Sequence, residues 1–90
     1  MNKSGVVYAI VAYLNKFNVK YKVNYNGHDI AIISESFVTY IDCGETKAFI
    51  DTGNDYIYYI NPNDSLDNIL WYIRQIIAKV NERSKKNAEI

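Results

Sequence analysis

The sequence predicts an α+β domain in which a helix, a five-stranded antiparallel meander and a second helix follow one another. Both ends of the chain carry apolar residues at helical spacing, and the middle alternates apolar and polar residues between glycine-containing turns. Ninety residues, 49% of them hydrophobic, suit one domain with one core. We expect that domain over residues 1–83, with a frayed polar tail over residues 84–90.

The two helices are predicted from their apolar stripes. The first should be capped by Ser4 and run to about Asn18, and the second should follow Pro62 with its cap within residues 63–65. Both are most simply packed on the same face of the sheet. The stripe of the second helix consists of Leu66, Ile69, Leu70, Ile73, Ile76, Ile77 and Val80.

Three turns define the predicted strands and their pairing. The turns are Asn26-Gly27, Gly44-Glu45 and Gly53-Asn54. The expected pairs are Tyr25–His28, Val23–Ile30 and Tyr21–Ile32 in the first hairpin, Asp42–Lys47, Ile41–Ala48 and Tyr40–Phe49 in the second, and Ile50–Ile57 and Phe49–Tyr58 in the third. In this register the helices should cover Val23, Ile30, Ile32, Ile41, Ala48, Ile50, Ile57 and Tyr59.

Composition excludes several classes of protein. Ten basic and ten acidic residues cancel, so no overall charge attracts nucleic acid or an anionic membrane. The longest apolar run, residues 6–14, is far shorter than the roughly 20 residues of a membrane span. The spacing of His28 and Cys43 suits neither zinc nor a catalytic dyad, and no phosphate-binding glycine loop occurs. We therefore expect no cofactor, no metal and no enzymatic activity.

Cysteine content and the start of the chain bear on location and origin. Cys43 is the single cysteine, and residues 1–4 do not read as a secretion signal, so a reducing, cytoplasmic setting is expected. Abundant Asn, Ile, Lys and Tyr are typical of AT-rich coding sequence. This composition indicates a low-GC source, such as a Firmicute or one of its phages or plasmids.

An aromatic row is the main predicted functional feature. In the predicted register Tyr40, Phe49 and Tyr58 lie side by side on the sheet face away from the helices, and such a patch usually marks a contact site. Trp71 falls opposite the apolar stripe of the second helix, and surface tryptophans commonly anchor a partner. The alternative interpretation is structural: the three rings stabilise neighbouring strands, and Trp71 packs against a sheet edge or the first helix.

These residues favour a protein-binding module without catalysis, with a homodimer as an open option. A compact domain of this kind suits an accessory or inhibitory protein of a mobile element that blocks a host protein. The alternative is single-stranded nucleic-acid binding, in which bases stack on the aromatic row beside Lys20, Lys22 and Lys47. Acidic side chains predicted on the same face, Asp29, Asp42 and Asp51, oppose that alternative.

A remote alternative comes from Asp51-Thr52-Gly53. Residues 44–55, a glycine turn, an apolar strand and then Asp-Thr-Gly, resemble the segment of retroviral-type aspartic peptidases that carries the catalytic aspartate. The resemblance implies a homodimer with Asp51 as the catalytic carboxylate. It covers about a dozen residues, and the second glycine-bearing strand of that family has no counterpart, because no glycine follows Gly53.

Overall fold

The protein forms two helices and a five-stranded sheet in the predicted order. The computed structural model describes residues 2–44 and 49–88, with side chains described through residue 85. The elements are α1 (Lys3–Lys16), β1 (Tyr21–Tyr25), β2 (His28–Ile33), β3 (Val38–Cys43), β4 (Phe49–Asp51), β5 (Tyr56–Ile60) and α2 (Leu66–Ala88).

The cap of α2 lies where it is predicted, whereas the cap of α1 does not. Asn2, not Ser4, caps α1, because its Oδ1 accepts the backbone N–H of Gly5 at 2.8 Å. Ser65 caps α2 by accepting the N–H of Asn68. The helix α2 continues to Ala88, so the tail predicted from residue 84 is helical at least that far. The lysine and alanine residues among 84–88 are good helix formers, and this stretch contains no glycine or proline.

Within the described residues, neither helix is both long and apolar enough to cross a membrane.

The sheet is mixed rather than a pure antiparallel meander. Its strand order is β1-β2-β3-β5-β4, and β3 pairs with β5 in parallel. The chain therefore passes from the end of β3 to the outer edge, forms β4, and returns as β5 into the position beside β3. The predicted second hairpin is wrong for this reason: Tyr40 pairs with Ile57, not with Phe49. Residues 45–48, which include the predicted partners Lys47 and Ala48, lie outside the described residues.

The two outer hairpins have the predicted registers. In the first, Tyr21, Val23 and Tyr25 face Ile32, Ile30 and His28. Its turn residues Asn26 and Gly27 both have positive φ, as a type I′ turn requires. In the hairpin of β4 and β5, Phe49 faces Tyr58 and Ile50 faces Ile57.

Both helices cover one face of the sheet, as expected. The core between the layers contains Val6, Ile10 and Leu14 of α1, Ile69, Ile73, Ile76 and Val80 of α2, and Ile30, Ile32, Ile41, Cys43, Tyr58 and Ile60 of the sheet. The faces of β4 and β5 are the reverse of the prediction. Because β5 pairs with β3 in parallel, Tyr58 lies beside Ile41 under the helices, and Ile57 lies beside Tyr40 on the open face.

Candidate protein-binding groove

The strand pairing separates the residues of the predicted aromatic row. Tyr40 lies on the open face, whereas Tyr58 and Phe49 lie on the face that carries the helices. Tyr40 and Tyr58 are each only 7% exposed, while Phe49 is 43% exposed. The prediction of one continuous row on the open face is therefore wrong, and the stacking platform suggested for single-stranded nucleic acid loses its geometric basis.

Phe49 and Tyr58 instead form one wall of a groove between the edge strand β4 and helix α2. Their ring centroids are 4.8 Å apart, and Tyr58 meets Tyr72 of α2 edge to face at 6.2 Å. The groove has a volume of about 360 Å³. We call it the edge groove, and its lining residues are Phe49, Tyr58, Tyr72, Gln75, Ile76, Lys79 and Arg83.

Arg83 is held in the edge groove by aromatic rings. Its guanidinium carbon lies 3.5 Å from the ring centroid of Tyr56, and its Nη2 donates a hydrogen bond to the Tyr58 hydroxyl at 3.0 Å. Such stacking on a ring face stabilises a guanidinium by about 0.5–2 kcal/mol. Nη1 is enclosed and has no hydrogen-bond partner among the described residues. The cation is thus fixed in place by neutral groups.

The phenol of Tyr72 completes the groove wall on α2. Burial, and to a lesser degree the neighbouring Tyr58, raises the pKa of Tyr72. The ring therefore stays neutral at physiological pH and offers an apolar surface with one polar end. Tyr72 thus adds no negative charge to offset Arg83.

The edge groove lies beside backbone groups of β4 that face away from the other four described strands. Thr52 donates its backbone N–H to the carbonyl of Asp55. In an antiparallel pair every second residue of a strand forms backbone hydrogen bonds to its partner strand. The N–H and C=O of Ile50, two residues before Thr52, therefore point toward β5. The N–H and C=O of Phe49 and Asp51 then point away from β5. Since β4 is the last strand in the sheet order, these groups form an edge of the kind that another chain can extend.

Tyr40 takes part in a separate polar network. Its ring stacks on His28 at 4.0 Å, and its hydroxyl accepts a hydrogen bond from Asn26. His28 Nδ1 lies 2.6 Å from Asp42, whose other oxygen accepts the N–H of Asp29. Each of these contacts joins β2 or the first turn to β3, so the network holds the β1–β2 hairpin against β3.

Cys43 ends β3 on the core side, beneath the helices. Burial, followed by the negative charge of Asp29, raises the pKa of its thiol to about 12. A thiol in this state is a poor nucleophile near neutral pH. Among the described residues, no three His, Cys, Asp or Glu side chains group together as a metal site requires.

Asp51 takes part in the turn between β4 and β5. Its Oδ1 accepts the N–H of Gly53 at 2.8 Å, and the Thr52 hydroxyl donates to the backbone carbonyl of Asp55 and accepts the backbone N–H of Asp55. These are the contacts of an ordinary Asx-stabilised hairpin turn. They give the Asp-Thr-Gly sequence a structural role, while the peptidase reading stays a prediction that these contacts do not test.

Trp71 lies on the outer surface of α2 with 63% of its area exposed, as the helical spacing predicted. It stands one turn before Gln75, so it continues the helix side of the edge groove toward the start of α2. Of the four predicted contact residues, the structure brings Phe49 and Tyr58 together, places Trp71 on the flank, and separates Tyr40.

Lys79 and Arg83 were not predicted to line a site, because basic residues on a surface helix are ordinarily solvated. A usable signal exists on α2, since Tyr72, Ile76, Lys79 and Arg83 recur at spacings of three or four residues.

A second, wider cleft lies between the end of α1, the β2–β3 connection and α2. Its volume is about 770 Å³, and it mixes Lys20 and Glu35 with apolar, serine and asparagine side chains. This lining has no single chemical character, unlike the edge groove.

No protein-family model, no curated protein and no solved structure matches this chain.

Proposed function

We propose that this protein is a non-enzymatic protein-binding module that contacts its partner through the edge groove. The observation that carries the proposal is the position of Phe49. It is a large apolar side chain, nearly half exposed, at the sheet edge beside aromatic rings and two cations. Aromatic residues and arginine are the types most enriched where proteins bind one another.

The edge groove and its flank combine side chains that are held in place with apolar side chains that are exposed to solvent, which supports this role. Tyr58 and Arg83 are fixed by contacts within the protein, so ordering them on binding costs little entropy. Phe49 and Trp71 supply apolar area that a partner can remove from water. A cytoplasmic protein of a phage or other mobile element that blocks a host protein fits this proposal, on the evidence of composition alone.

The test uses the purified protein as bait in extracts of its source cell, with quantitative mass spectrometry of what is retained. Three baits are compared: the natural protein, Phe49→Ser, and Tyr8→Ser. Tyr8 is the matched control, because it is 77% exposed on α1 and does not line the edge groove. Thermal unfolding of each bait shows that all three are folded.

We expect a partner retained by the natural protein and by Tyr8→Ser, and retained at least roughly tenfold less by Phe49→Ser, as for a central contact residue. Equal retention on all three baits would place the contact elsewhere. Retention no greater than that of bare resin would count against a protein-binding role.

A further inference from the structure

The edge groove carries two cations that form no ion pair with another described residue. Lys79 and Arg83 are one helical turn apart on α2, and both line the groove. In the part of the chain that the structure describes, the ion pairs join Lys3 to Asp29 and His28 to Asp42, and neither involves these two cations. Since the charge density of a groove selects what enters it, the edge groove favours an anionic ligand.

We propose that the edge groove binds an extended, acidic peptide segment of a partner protein, which adds to β4 as a further strand. The proposal rests on the proposed protein-binding function and names the chemical class of its ligand. Strand addition beside a helix is a recurrent mode of peptide recognition, in which backbone hydrogen bonds supply affinity and pockets for alternate side chains supply specificity.

Backbone geometry supports the extended conformation. A chain lying alongside β4 at about 4.8 Å can bond to the outward N–H and C=O groups of Phe49 and Asp51. Alternate side chains of that chain then point to the face that carries α2. They enter the edge groove, while the intervening side chains point to the open face.

The two walls are of similar length. Three residues of β4 span about 10 Å at the rise of a strand, and the nine residues of α2 from Gln75 to Arg83 span about 13.5 Å at the rise of a helix. A volume of about 360 Å³ is near the lower limit of ligand pockets. The edge groove thus has room for two alternate side chains of a short peptide.

Charge also positions the peptide within the groove. Asp51 lies on the groove side of β4, directly across from Tyr56, whose ring carries the guanidinium of Arg83. Its carboxylate is bonded into the turn through Gly53. Because Asp51 repels an acidic ligand at that end, the acidic side chain is expected opposite Phe49 and nearer to Lys79.

The test starts from random twelve-residue peptides displayed on phage, selected separately on three proteins. These are the natural protein, Lys79→Glu, and Lys85→Glu as a matched control. Lys85 is exposed on the same helix and does not line the edge groove. Because both variants replace a lysine by glutamate, they change the net charge equally. Thermal unfolding confirms that each protein is folded before selection.

We expect Asp and Glu to be enriched in the pools from the natural protein and from Lys85→Glu, and not in the pool from Lys79→Glu. A synthetic peptide from the acidic pool should bind Lys79→Glu at least about tenfold more weakly, because a repulsive contact replaces an attractive one. Its binding to the natural protein should weaken as salt screens the charges.

Amide hydrogen exchange with the bound peptide tests the strand addition. Protection should appear at the amides of Phe49 and Asp51 and not increase at Ile50, whose N–H already bonds to β5. Pools without acidic enrichment, an acidic pool that persists on Lys79→Glu, or a bound peptide that leaves Phe49 and Asp51 unprotected would each overturn the proposal.

These outcomes separate the ligand class from the function itself. A partner retained in a Phe49-dependent way, together with peptide pools that lack acidic enrichment, would remove the acidic strand and leave the protein-binding module. Preferred binding of a single-stranded oligonucleotide to the edge groove would overturn both.

Discussion

The two outer hairpins differ in how they join the central strand β3, and this difference decides which side chains line the edge groove. The β1–β2 hairpin joins through β2 in antiparallel fashion and exposes Lys22, Val23 and Asn24 on its edge strand. The β4–β5 hairpin joins through β5 in parallel and places Phe49 at an edge beside α2. The same motif therefore gives two different edges, and the edge of β4 borders a groove lined by aromatic rings and two cations.

The largest change in the free energy of unfolding should come from a substitution that tests how β5 is joined to β3. Ile41 is fully buried beside Tyr58 under the helices, whereas its counterpart Ile57 lies on the open face. Ile41→Ala should lower the free energy of unfolding by about 2–5 kcal/mol, and Ile57→Ala by roughly 1 kcal/mol, because only the first leaves a cavity in the core. Urea unfolding measures both. Similar losses for the two variants would argue against the assigned faces.

The next effect compares the two turns. Gly27 and Gly53 have φ values of 80° and 92°, and an added Cβ meets no atom within 4 Å at either position. Replacement by alanine should therefore cost only backbone strain, about 1–3 kcal/mol in each hairpin. Urea unfolding of the two variants checks this. Gly53→Ala should in addition weaken partner binding, because it perturbs β4, whereas Gly27→Ala should leave the affinity of the folded protein unchanged. Equal effects on affinity would remove the functional distinction between the hairpins.

The last effect concerns pH at Cys43, where β3 ends under the helices. The pKa of Cys43 is raised to about 12 in the fold, so the unfolded chain loses this proton first as pH rises above the ordinary thiol value of 9.0. Stability should therefore fall between pH 9 and pH 12. Urea unfolding of the natural protein and Cys43→Ala across this range isolates the contribution, since Tyr72 and Lys3 titrate in both. Parallel pH profiles would mean that the thiol is not enclosed.

How far the sequence predicts the fold depends on the range of the contacts involved. The turns at Gly27 and Gly53 specify their hairpins locally, and both registers are confirmed. The parallel pairing of β3 with β5 is not local, and no turn residue encodes it. Tyr56, Tyr58 and Tyr59 make both faces of β5 aromatic, so side-chain alternation could not reveal which face the helices cover.

At the candidate site too, features set by local contacts were predicted and features set by non-local contacts were not. The exposure of Trp71 depends only on helical spacing and is confirmed, but the grouping of Phe49 with Arg83 depends on the parallel pairing and was missed. Lys79 and Arg83 look like solvated helix residues until β4 and β5 are placed opposite them.

Proton NOE spectroscopy of the unmodified protein shows on which side of the sheet the rings of β4 and β5 lie. We expect NOEs between the rings of Tyr58 and Tyr72 across the edge groove, and between the ring of Tyr40 and that of His28. NOEs between Tyr40 and Phe49, with none between Tyr58 and Tyr72, would contradict the assigned faces.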